Sequence, residues 1–387
     1  MRKCKGSWLE NYCDYTRFQQ APPRFHVWSG LSTLASAARR NLFMDRGYYK
    51  LFPNLYVCLV GPTGITKTTA TDIALGVLKA TPSITVIKGK ATSFYIYDHM
   101  VKCTNQKKDC TFTVYSGELK NLLEGVSKAE IVTMLTELYT CPDQDAYNTK
   151  TGGALEIRNV CINILGSSTP EWLTTGTTLD EISGGFTGRF VYVYANEERP
   201  VAFPEDFMTQ ASAASKQDLI DDLRHISTLQ GQFTVTNQAK AEYVVWYNDR
   251  RKEWKDERLI GYYARKGDLV FKVGMLLAVS QGDALVIDEH ILKTTWEMLR
   301  KLEGEMGEAF SGVVDDPVLR YKDAVVGVIV RSPGHEATRS EILRRFWNRF
   351  DGGVLDRIIA NLVDARIVES YAKSNIGVVY KIIDTVR

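Results

Sequence analysis

The chain has 387 residues, of which 44% are hydrophobic and 24% charged, the balance of a globular chain that can bury a large core and divide into two or three domains. Its formal charge of +2 excludes a global basic field, so contact with nucleic acid requires local basic patches. Seven cysteines without a close CxxC pair predict reduced thiols and no structural metal, and the lack of an apolar signal or membrane-spanning segment predicts a cytoplasmic protein without a membrane partner.

The first fifty residues are predicted to be helical, since Trp28, Leu31 and Leu34 recur at helical spacing after a Pro-Pro breaker. From Leu55 onwards, short apolar runs alternate with helical segments. The runs are LYVCLV, SITVI, FTVY, VCINILG and FVYVYA. This alternation predicts an α/β fold with a mainly parallel sheet covered on both faces.

Two breakers divide the remainder of the chain. NEERPVAFPED closes the α/β unit, residues 206 to about 310 are predicted to be helices, and a last unit follows VVDDP. The predicted segments are therefore 1–50, 51–205, 206–315 and 316–387.

The stretch GPTGITKTT follows the strand LYVCLV and precedes an apolar-periodic helix, the context that a phosphate-binding loop needs. Main-chain amides would surround the phosphates of ATP, Lys67 would reach the β and γ oxygens, and the Thr68 hydroxyl would hold Mg²⁺. The alternative is a glycine turn with a surface lysine. The predicted nucleotide-binding loop residues are Gly61, Pro62, Thr63, Gly64, Ile65, Thr66, Lys67, Thr68 and Thr69.

Thr66 stands where the usual phosphate-loop pattern has glycine. The difference matters only if this position requires positive φ or a close backbone approach. We expect a helix-start conformation, which threonine adopts at modest cost.

Glu118 follows the strand FTVY and is the candidate catalytic base that would polarise the attacking water. Gly117 occupies the position of the usual aspartate, so Mg²⁺ would be held by Thr68, phosphates and water, with Ser116 as a candidate helper. The alternative is an exposed glutamate that opens a helix.

The strand VCINILG ends in a polar cluster from which Ser168 or Thr169 could hydrogen-bond the γ-phosphate or the attacking water. The alternative is a helix N-cap before Pro170. Arg189, after the glycine-rich turn SGGFTG, could reach a neighbouring subunit's γ-phosphate, or form a surface ion pair. Arg265 could face the nucleotide from a helical lid, or cap its own helix.

Two further stretches are candidates for DNA contact. Gly152-Gly153 followed by ALEIRNV predicts a hairpin with Tyr147 and Lys150 near its tip, where they could hold a single strand, or form an ordinary surface turn. The last unit, with a capping box at Thr338 and Glu341, is predicted to be a winged helix that binds DNA or another protein. Its candidate DNA-binding residues are Arg344, Arg345, Arg357 and Lys373.

Five stretches of the chain follow one another in the order RFHVWSGLSTLASAARRNLF, LFPNLYVCLVGPTGITKTT, YSGELKNLL, INILGSSTPEWL and SGGFTGRF. Together they resemble the phage, plasmid and prophage ATPases found fused or adjacent to primase domains. The order of motifs also resembles the minichromosome maintenance and superfamily 3 helicases of the AAA+ class. The resemblance implies a hexameric ATP-driven DNA translocase with Arg189 supplied in trans, a primase as candidate partner, and the host cytoplasm as its location if phage-encoded.

Two other functions stay open. One is an ATP-regulated DNA-binding assembly factor, such as a helicase loader or a transposition or packaging regulator, with slow turnover. The other is a winged-helix regulator with a vestigial ATPase fold. Thr66 and Gly117 favour slow turnover, whereas the hairpin and Arg189 favour a motor.

Overall fold

A computed structural model of the chain describes residues 2–88, 92–106, 110–123, 128–149, 153–176, 185–203, 214–254, 256–310, 317–347, 349–374 and 377–383. The chain divides into two compact units, Met1–Gly312 and Val313–Arg387. Within the described residues, no helix is both long and apolar enough to cross a membrane.

The strands of the first unit are, in chain order, β1 Leu42–Asp45, β2 Lys50–Leu51, β3 Tyr56–Val60, β4 Thr85–Lys88, β5 Cys110–Ser116, β6 Gln144–Thr149, β7 Gly153–Arg158, β8 Val160–Ser168, β9 Phe190–Tyr194, β10 Gly231–Val235 and β11 Val286–Ile287. Five of them form one all-parallel sheet in the order β4-β5-β8-β3-β9. All residues of the interior strands β3 and β8 are buried, as expected for a parallel sheet covered on both faces. These are the five predicted apolar runs, so the parallel sheet is confirmed, and the fold is compatible with a phosphate-loop α/β core.

The helices of the first unit are α1 Trp8–Tyr15, α2 Pro23–Ala38, α3 Lys67–Lys79, α4 Ser93–Asn105, α5 Leu119–Leu123, α6 Lys128–Leu138, α7 Pro170–Gly176, α8 Lys216–Ile226, α9 Asn237–Asp249, α10 Ile260–Gln281 and α11 Glu289–Met306. Helices α2 and α6 cover opposite faces of the sheet. Asn163 of β8 donates to Ala35 O of α2 (3.5 Å), while Tyr56 of β3 donates through its hydroxyl to Leu135 O of α6 (3.0 Å). Tyr56 is paired with Ile164, the neighbour of Asn163, and successive strand residues point to opposite faces.

A second, smaller sheet has the order β11-β10-β1-β2 and joins two segments that were predicted to be helical. β1 runs parallel to β10, with Leu42 opposite Gly231. The prediction of helices alone for residues 1–50 and 206–310 is therefore wrong. These strands have two to five residues, and β10 pairs with β1 and β11, which are distant in the chain, so local periodicity does not reveal them.

Strands β6 and β7 form the predicted antiparallel hairpin, with Thr149 opposite Gly153. The expected DNA-contacting residue Lys150 lies outside the described residues. Tyr147 lies within β6, and its side chain is also outside what the structure describes.

The second unit combines helices α12 Pro317–Arg331, α13 Arg339–Arg345 and α14 Gly352–Asp364 with strands β12 Glu336–Thr338, β13 Val368–Lys373 and β14 Gly377–Ile382. The strands form an antiparallel sheet in the order β12-β14-β13. The predicted capping box is confirmed, because Glu341 N donates to Thr338 Oγ1 (3.2 Å) and Thr338 N donates to Glu341 Oε2 (2.8 Å). The core contains Ile329, Ile342, Leu355, Ile358 and Val368.

Candidate functional site

The predicted loop lies at the carboxyl edge of the parallel sheet, where β3 ends. Strands β5 and β8 end at the same edge, since Val60 is paired with Ser168 and Ser116 with Gly166. A cavity of about 440 Å³ lies between these strand ends. The predicted residues that line it are Thr63, Gly64, Thr66, Lys67, Thr68, Glu118, Ser168 and Thr169. The loop, the acid and the polar strand end thus meet around one cavity.

Four predicted loop residues, Gly61, Pro62, Ile65 and Thr69, belong to the loop but not to the cavity lining. A Cβ on Gly61 would overlap the main-chain oxygen of Ala195, so only glycine fits between the loop and the segment after β9. Ile65 is buried and anchors the loop in the core. These residues shape the loop, whereas their neighbours face the cavity.

Lys67 is the first residue of α3, and its ammonium group folds back onto the loop. Nζ donates to Gly61 O (2.6 Å) and to Pro62 O (2.7 Å). Burial lowers the pKa of Lys67, and the nearby Cys58, Glu171 and Glu118 oppose this shift. The loop therefore holds a partly desolvated cation whose partners are two neutral carbonyls that an anion can replace.

Thr66 has φ 52° and ψ 28°, in the left-handed region. The expectation of a helix-start conformation at modest cost is wrong, because the loop requires positive φ here, where a β-branched side chain crowds the main chain. This conformation costs roughly 1–2 kcal/mol. Thr66 Oγ1 is also buried without a hydrogen-bond partner among the described residues, and a buried unpaired hydroxyl costs about 1–3 kcal/mol.

Glu118 is exposed beyond the end of β5, on the wall of the cavity that faces the loop. Two hydroxyls hold the main chain on either side of it. Ser116 Oγ donates to Glu118 O (2.5 Å), and Ser167 Oγ donates to Gly117 O. Glu118 directly precedes α5, so the structure gives it both predicted settings, an exposed position before a helix and a place in the cavity wall. The buried Ser116 hydroxyl is engaged with the main chain and does not line the cavity.

Thr169 and Ser168 both line the cavity, and Thr169 is also the predicted helix cap. Trp172 N donates to Thr169 Oγ1 (3.3 Å), so Thr169 caps α7 as well as lining the cavity. Ser168 Oγ donates to Thr169 O (3.2 Å). Both hydroxyls therefore have fixed positions at the end of β8.

Among the residues of the cavity wall that sequence reasoning missed are Lys120 and Trp172. Each follows a predicted site residue by two or three positions and lies in the first turn of the helix that follows its strand. The sequence therefore held a signal for Lys120, because this residue follows the predicted site residue Glu118 by two positions. Its side chain adds a second basic group to the cavity wall.

The residues around the cavity include a candidate Mg²⁺ ligand. Across the described ranges, no group of three or more His, Cys, Asp and Glu side chains could hold a metal ion. Mg²⁺ keeps several waters and is commonly bound by one or two protein oxygens together with substrate phosphates. The exposed Thr68 hydroxyl lines the cavity and fits that requirement.

Arg189 lies at the opposite edge of the sheet from the loop. It ends the 3-10 turn Thr187–Arg189, directly before β9, which runs parallel to β3 with Phe190 opposite Tyr56. Its guanidinium donates to Gly185 O and lies 5.8 Å from the Tyr139 ring centroid. Nε is buried without a hydrogen-bond partner in the described part of the chain.

Arg265 lies beside Arg189 rather than beside Lys67. Both guanidiniums approach Gly185, where an added Cβ would lie 3.0 Å from Arg189 Nη1 and 3.8 Å from Arg265 Nη2. Burial lowers the pKa of Arg189, and the charge of Arg265 lowers it further. Arg265 therefore lies at the edge of the sheet that carries Arg189, away from the loop of its own chain. Its Nη1 donates to Gly261 O (2.9 Å), a main-chain carbonyl in the first turn of its own helix.

Tight packing fixes this arginine pair. A Cβ on Gly188 would overlap the main chain of Gly261, at the start of α10. The 3-10 turn that carries Arg189 therefore lies directly against the first turn of the helix that carries Arg265. This backbone contact holds the two segments that carry the arginines side by side.

An apolar cavity of about 770 Å³ lies at the outer edge of the sheet, beside the carboxyl end of β9. Tyr194 is paired with Val60, the last strand residue before the loop. The apolar side chains that line this cavity include Val27, Trp28, Val193, Tyr194 and Leu302. Charged side chains, among them Arg24, Arg300 and Glu305, complete its lining.

In the second unit, Arg344, Arg345, Arg357 and Lys373 are all exposed. Lys373 forms an ion pair with Glu336 (3.2 Å). Sequence reasoning missed Trp347, which follows Arg344 and Arg345 and is 79% exposed. Two of the exposed basic residues, Arg344 and Arg345, therefore directly precede a turn that carries the large exposed ring of Trp347.

Comparison of the chain with protein-family models and with curated proteins gives no match.

Proposed function

We propose that the chain is an ATP hydrolase that drives a DNA translocase or helicase of a phage or mobile-element replication system. The observation that carries the proposal is the placement of complementary groups at opposite edges of one sheet. Lys67, Thr68 and Glu118 share the carboxyl edge, and Arg189 lies at the amino edge. This arrangement supports ATP sites shared between neighbouring subunits of a ring.

In the proposed site, Lys67 exchanges its two carbonyl partners for phosphate oxygens, and the amides at the start of α3 point at the same anion. Mg²⁺ held by Thr68 would neutralise charge on the β and γ phosphates. Glu118 takes a proton from a water as the water oxygen attacks the γ phosphorus, and the bond to the β–γ bridging oxygen breaks. Ser168 and Thr169 lie where hydroxyls can orient that water.

In this scheme, Arg189 cannot reach phosphates that are bound at Lys67 of its own chain. The four residue steps from Tyr56 to Val60 span about 13 Å, and β9 runs alongside them from Phe190 to Tyr194. Arg189 therefore serves a neighbouring subunit, where it stabilises charge on the transferring phosphoryl group. Arg265, held beside it, contributes a second cation to the same neighbour.

We assign the base of the nucleotide to the apolar cavity beside β9. Trp28 and Tyr194 supply aromatic surface, and Val27, Val193 and Leu302 supply aliphatic surface. Adjacent strands are about 4.8 Å apart, so β8 and β9 lie roughly 10 Å from each other across β3. That separation suits a ligand with phosphates on one side of the loop and a base on the other.

The finer fold assignments belong to the same proposal. The helices from Lys216 to Met306 would act as the lid that carries Arg265, and the second unit would be a winged helix. The exposed Arg344, Arg345 and Arg357, and the β6–β7 hairpin, would contact DNA. A primase is the candidate partner.

A second function is favoured by one specific observation, the left-handed Thr66 in the loop that carries Lys67. Together with Gly117 in place of a carboxylate, it supports slow turnover. The chain would then be an ATP-regulated DNA-binding assembly factor, such as a helicase loader.

The test is ATP turnover with and without single-stranded DNA, combined with strand displacement on a forked duplex, for the wild type and for Lys67→Ala. The motor proposal predicts DNA-stimulated turnover and unwinding that both require Lys67. DNA that neither stimulates turnover nor is unwound would contradict the motor and favour the assembly factor.

A further inference from the structure

Thr66 combines two features that are unfavourable in the loop without a ligand. Its main chain lies in the left-handed region, which glycine adopts without strain. Its hydroxyl oxygen is buried and has no hydrogen-bond partner within the described ranges. A side chain that strains the loop and leaves a donor unpaired needs a compensating contact.

A threonine hydroxyl in the following helix, that of Thr71, does have hydrogen-bond partners. Thr71 Oγ1 donates to Thr68 O (3.0 Å) and lies 3.1 Å from the Tyr115 hydroxyl. Thr66 follows Pro62 by four positions, yet Pro62 O accepts from Lys67 Nζ instead. Two carbonyls of the loop, those of Gly61 and Pro62, are therefore engaged by the lysine, while the Thr66 hydroxyl has no partner among the described residues.

The groups around Thr66 define what could satisfy it. Thr66 lines the same cavity as Lys67 and Thr68, at the start of a helix whose first amides are donors. A cavity rich in donors fits a ligand rich in acceptor oxygens, and a phosphoryl chain has several on adjacent atoms. A bound phosphoryl chain would also draw the Lys67 ammonium from the carbonyls of Gly61 and Pro62.

We infer that the Thr66 hydroxyl donates a hydrogen bond to a phosphoryl oxygen of the bound nucleotide, a contact that glycine at this position cannot make. This inference rests on the proposed nucleotide site. Thr66, which stands where the usual loop has glycine, thus adds one side-chain donor to the main-chain amides that surround the phosphates.

The experiment is a fluorescence titration of the full chain with a fluorescent ATP analogue and Mg²⁺. The variants are Thr66→Val, which keeps the β-branched shape without the hydroxyl, Thr66→Ser, which keeps the hydroxyl, and Thr66→Gly, which removes both. We expect Thr66→Val to bind at least tenfold more weakly than the wild type, which corresponds to about 1.4 kcal/mol. Thr66→Ser should stay within about threefold of the wild type.

Thr66→Gly separates a binding role from a structural one. Relief of backbone strain should raise its melting temperature without nucleotide, while loss of the hydroxyl should leave its affinity below that of Thr66→Ser. Equal affinities for the glycine and serine variants would overturn the inference, even if Thr66→Val fails to fold.

Lys67→Ala distinguishes the inference from the proposal beneath it. If Lys67→Ala loses binding and Thr66→Val binds like the wild type, the hydroxyl contact is refuted and the nucleotide site stands. If the wild type does not bind, or Lys67→Ala binds equally well, the proposed site itself is refuted together with the contact.

Discussion

Lys67 and Arg189 lie at opposite edges of the same parallel sheet, one just beyond the carboxyl end of β3 and the other just before the amino end of the adjacent β9. A nucleotide held by Lys67 can meet an Arg189 only from another subunit. The proposed activity therefore requires an assembly of subunits, in which residues at the carboxyl and the amino edge of the sheet both contribute.

Replacement of Lys67 tests the carboxyl edge. Lys67→Ala should reduce ATP turnover by at least about 100-fold, since it removes the cation nearest the proposed β and γ phosphates. Lys79→Ala is the matched control, because Lys79 is an exposed lysine at the other end of the same helix. Steady-state phosphate release measures both variants. Equal losses in the two would indicate a general charge effect and contradict a role for Lys67 in the site.

Replacement of Glu118 should separate binding from hydrolysis. Glu118→Gln keeps the shape of the side chain and removes the proton acceptor, so turnover should fall on the order of 100-fold or more. Nucleotide affinity should change little. Glu137→Gln, at an exposed position on α6, should behave like the wild type. Retention of full turnover by Glu118→Gln would exclude Glu118 as the base.

Substitution of Gly188 should disturb the arginine pair through the backbone. A Cβ at this position overlaps the main chain of Gly261, and overpacking of this kind costs about 1–3 kcal/mol. Gly188→Ala should therefore lower the free energy of unfolding and reduce turnover. Gly282→Ala is the control, since its Cβ would meet nothing within 4 Å in the described structure. Thermal unfolding with phosphate release measures both effects, and a Gly188→Ala protein as stable and active as wild type would contradict this packing.

Buried His26 should make the first unit sensitive to acid. Burial and the nearby charge of Arg199 lower the pKa of His26 to about 4, and neither ring nitrogen has a hydrogen-bond partner among the described residues. Its ordinary pKa is about 6.5, so between these values the unfolded chain binds more protons than the folded chain. Stability must therefore fall as pH falls through this window.

Replacement of His26 should weaken this dependence. His26→Leu should reduce the slope of unfolding free energy against pH by up to about 1.4 kcal/mol per pH unit between pH 6.5 and 4. Urea unfolding followed by tryptophan fluorescence measures the slope. The same slope in both proteins would show that His26 does not titrate differently on unfolding.

The carboxyl ends of parallel strands meet at one edge of a sheet, so the strand pattern of the sequence brings together the residues that follow those strands. The convergence of the loop, Glu118 and Ser168 follows from that rule. The left-handed main-chain conformation of Thr66 does not follow from this rule, because it depends on how the loop connects β3 to α3.

Tertiary contacts account for the other differences. The position of Arg265 beside Arg189 depends on the packing of Gly188 against Gly261. The β1–β10 pairing joins two distant segments. Neither contact leaves a periodic signal in the local sequence, so neither could be predicted from spacing.

Subunit mixing tests the central claim most directly. Arg189→Ala and Lys67→Ala proteins, each inactive alone, are combined in varying ratios, and ATP turnover is measured. Sites shared between subunits predict that mixing restores part of the activity, because some interfaces pair an intact Lys67 cavity with an intact Arg189. Complete inactivity at every ratio, from proteins shown to assemble together, would contradict the shared site.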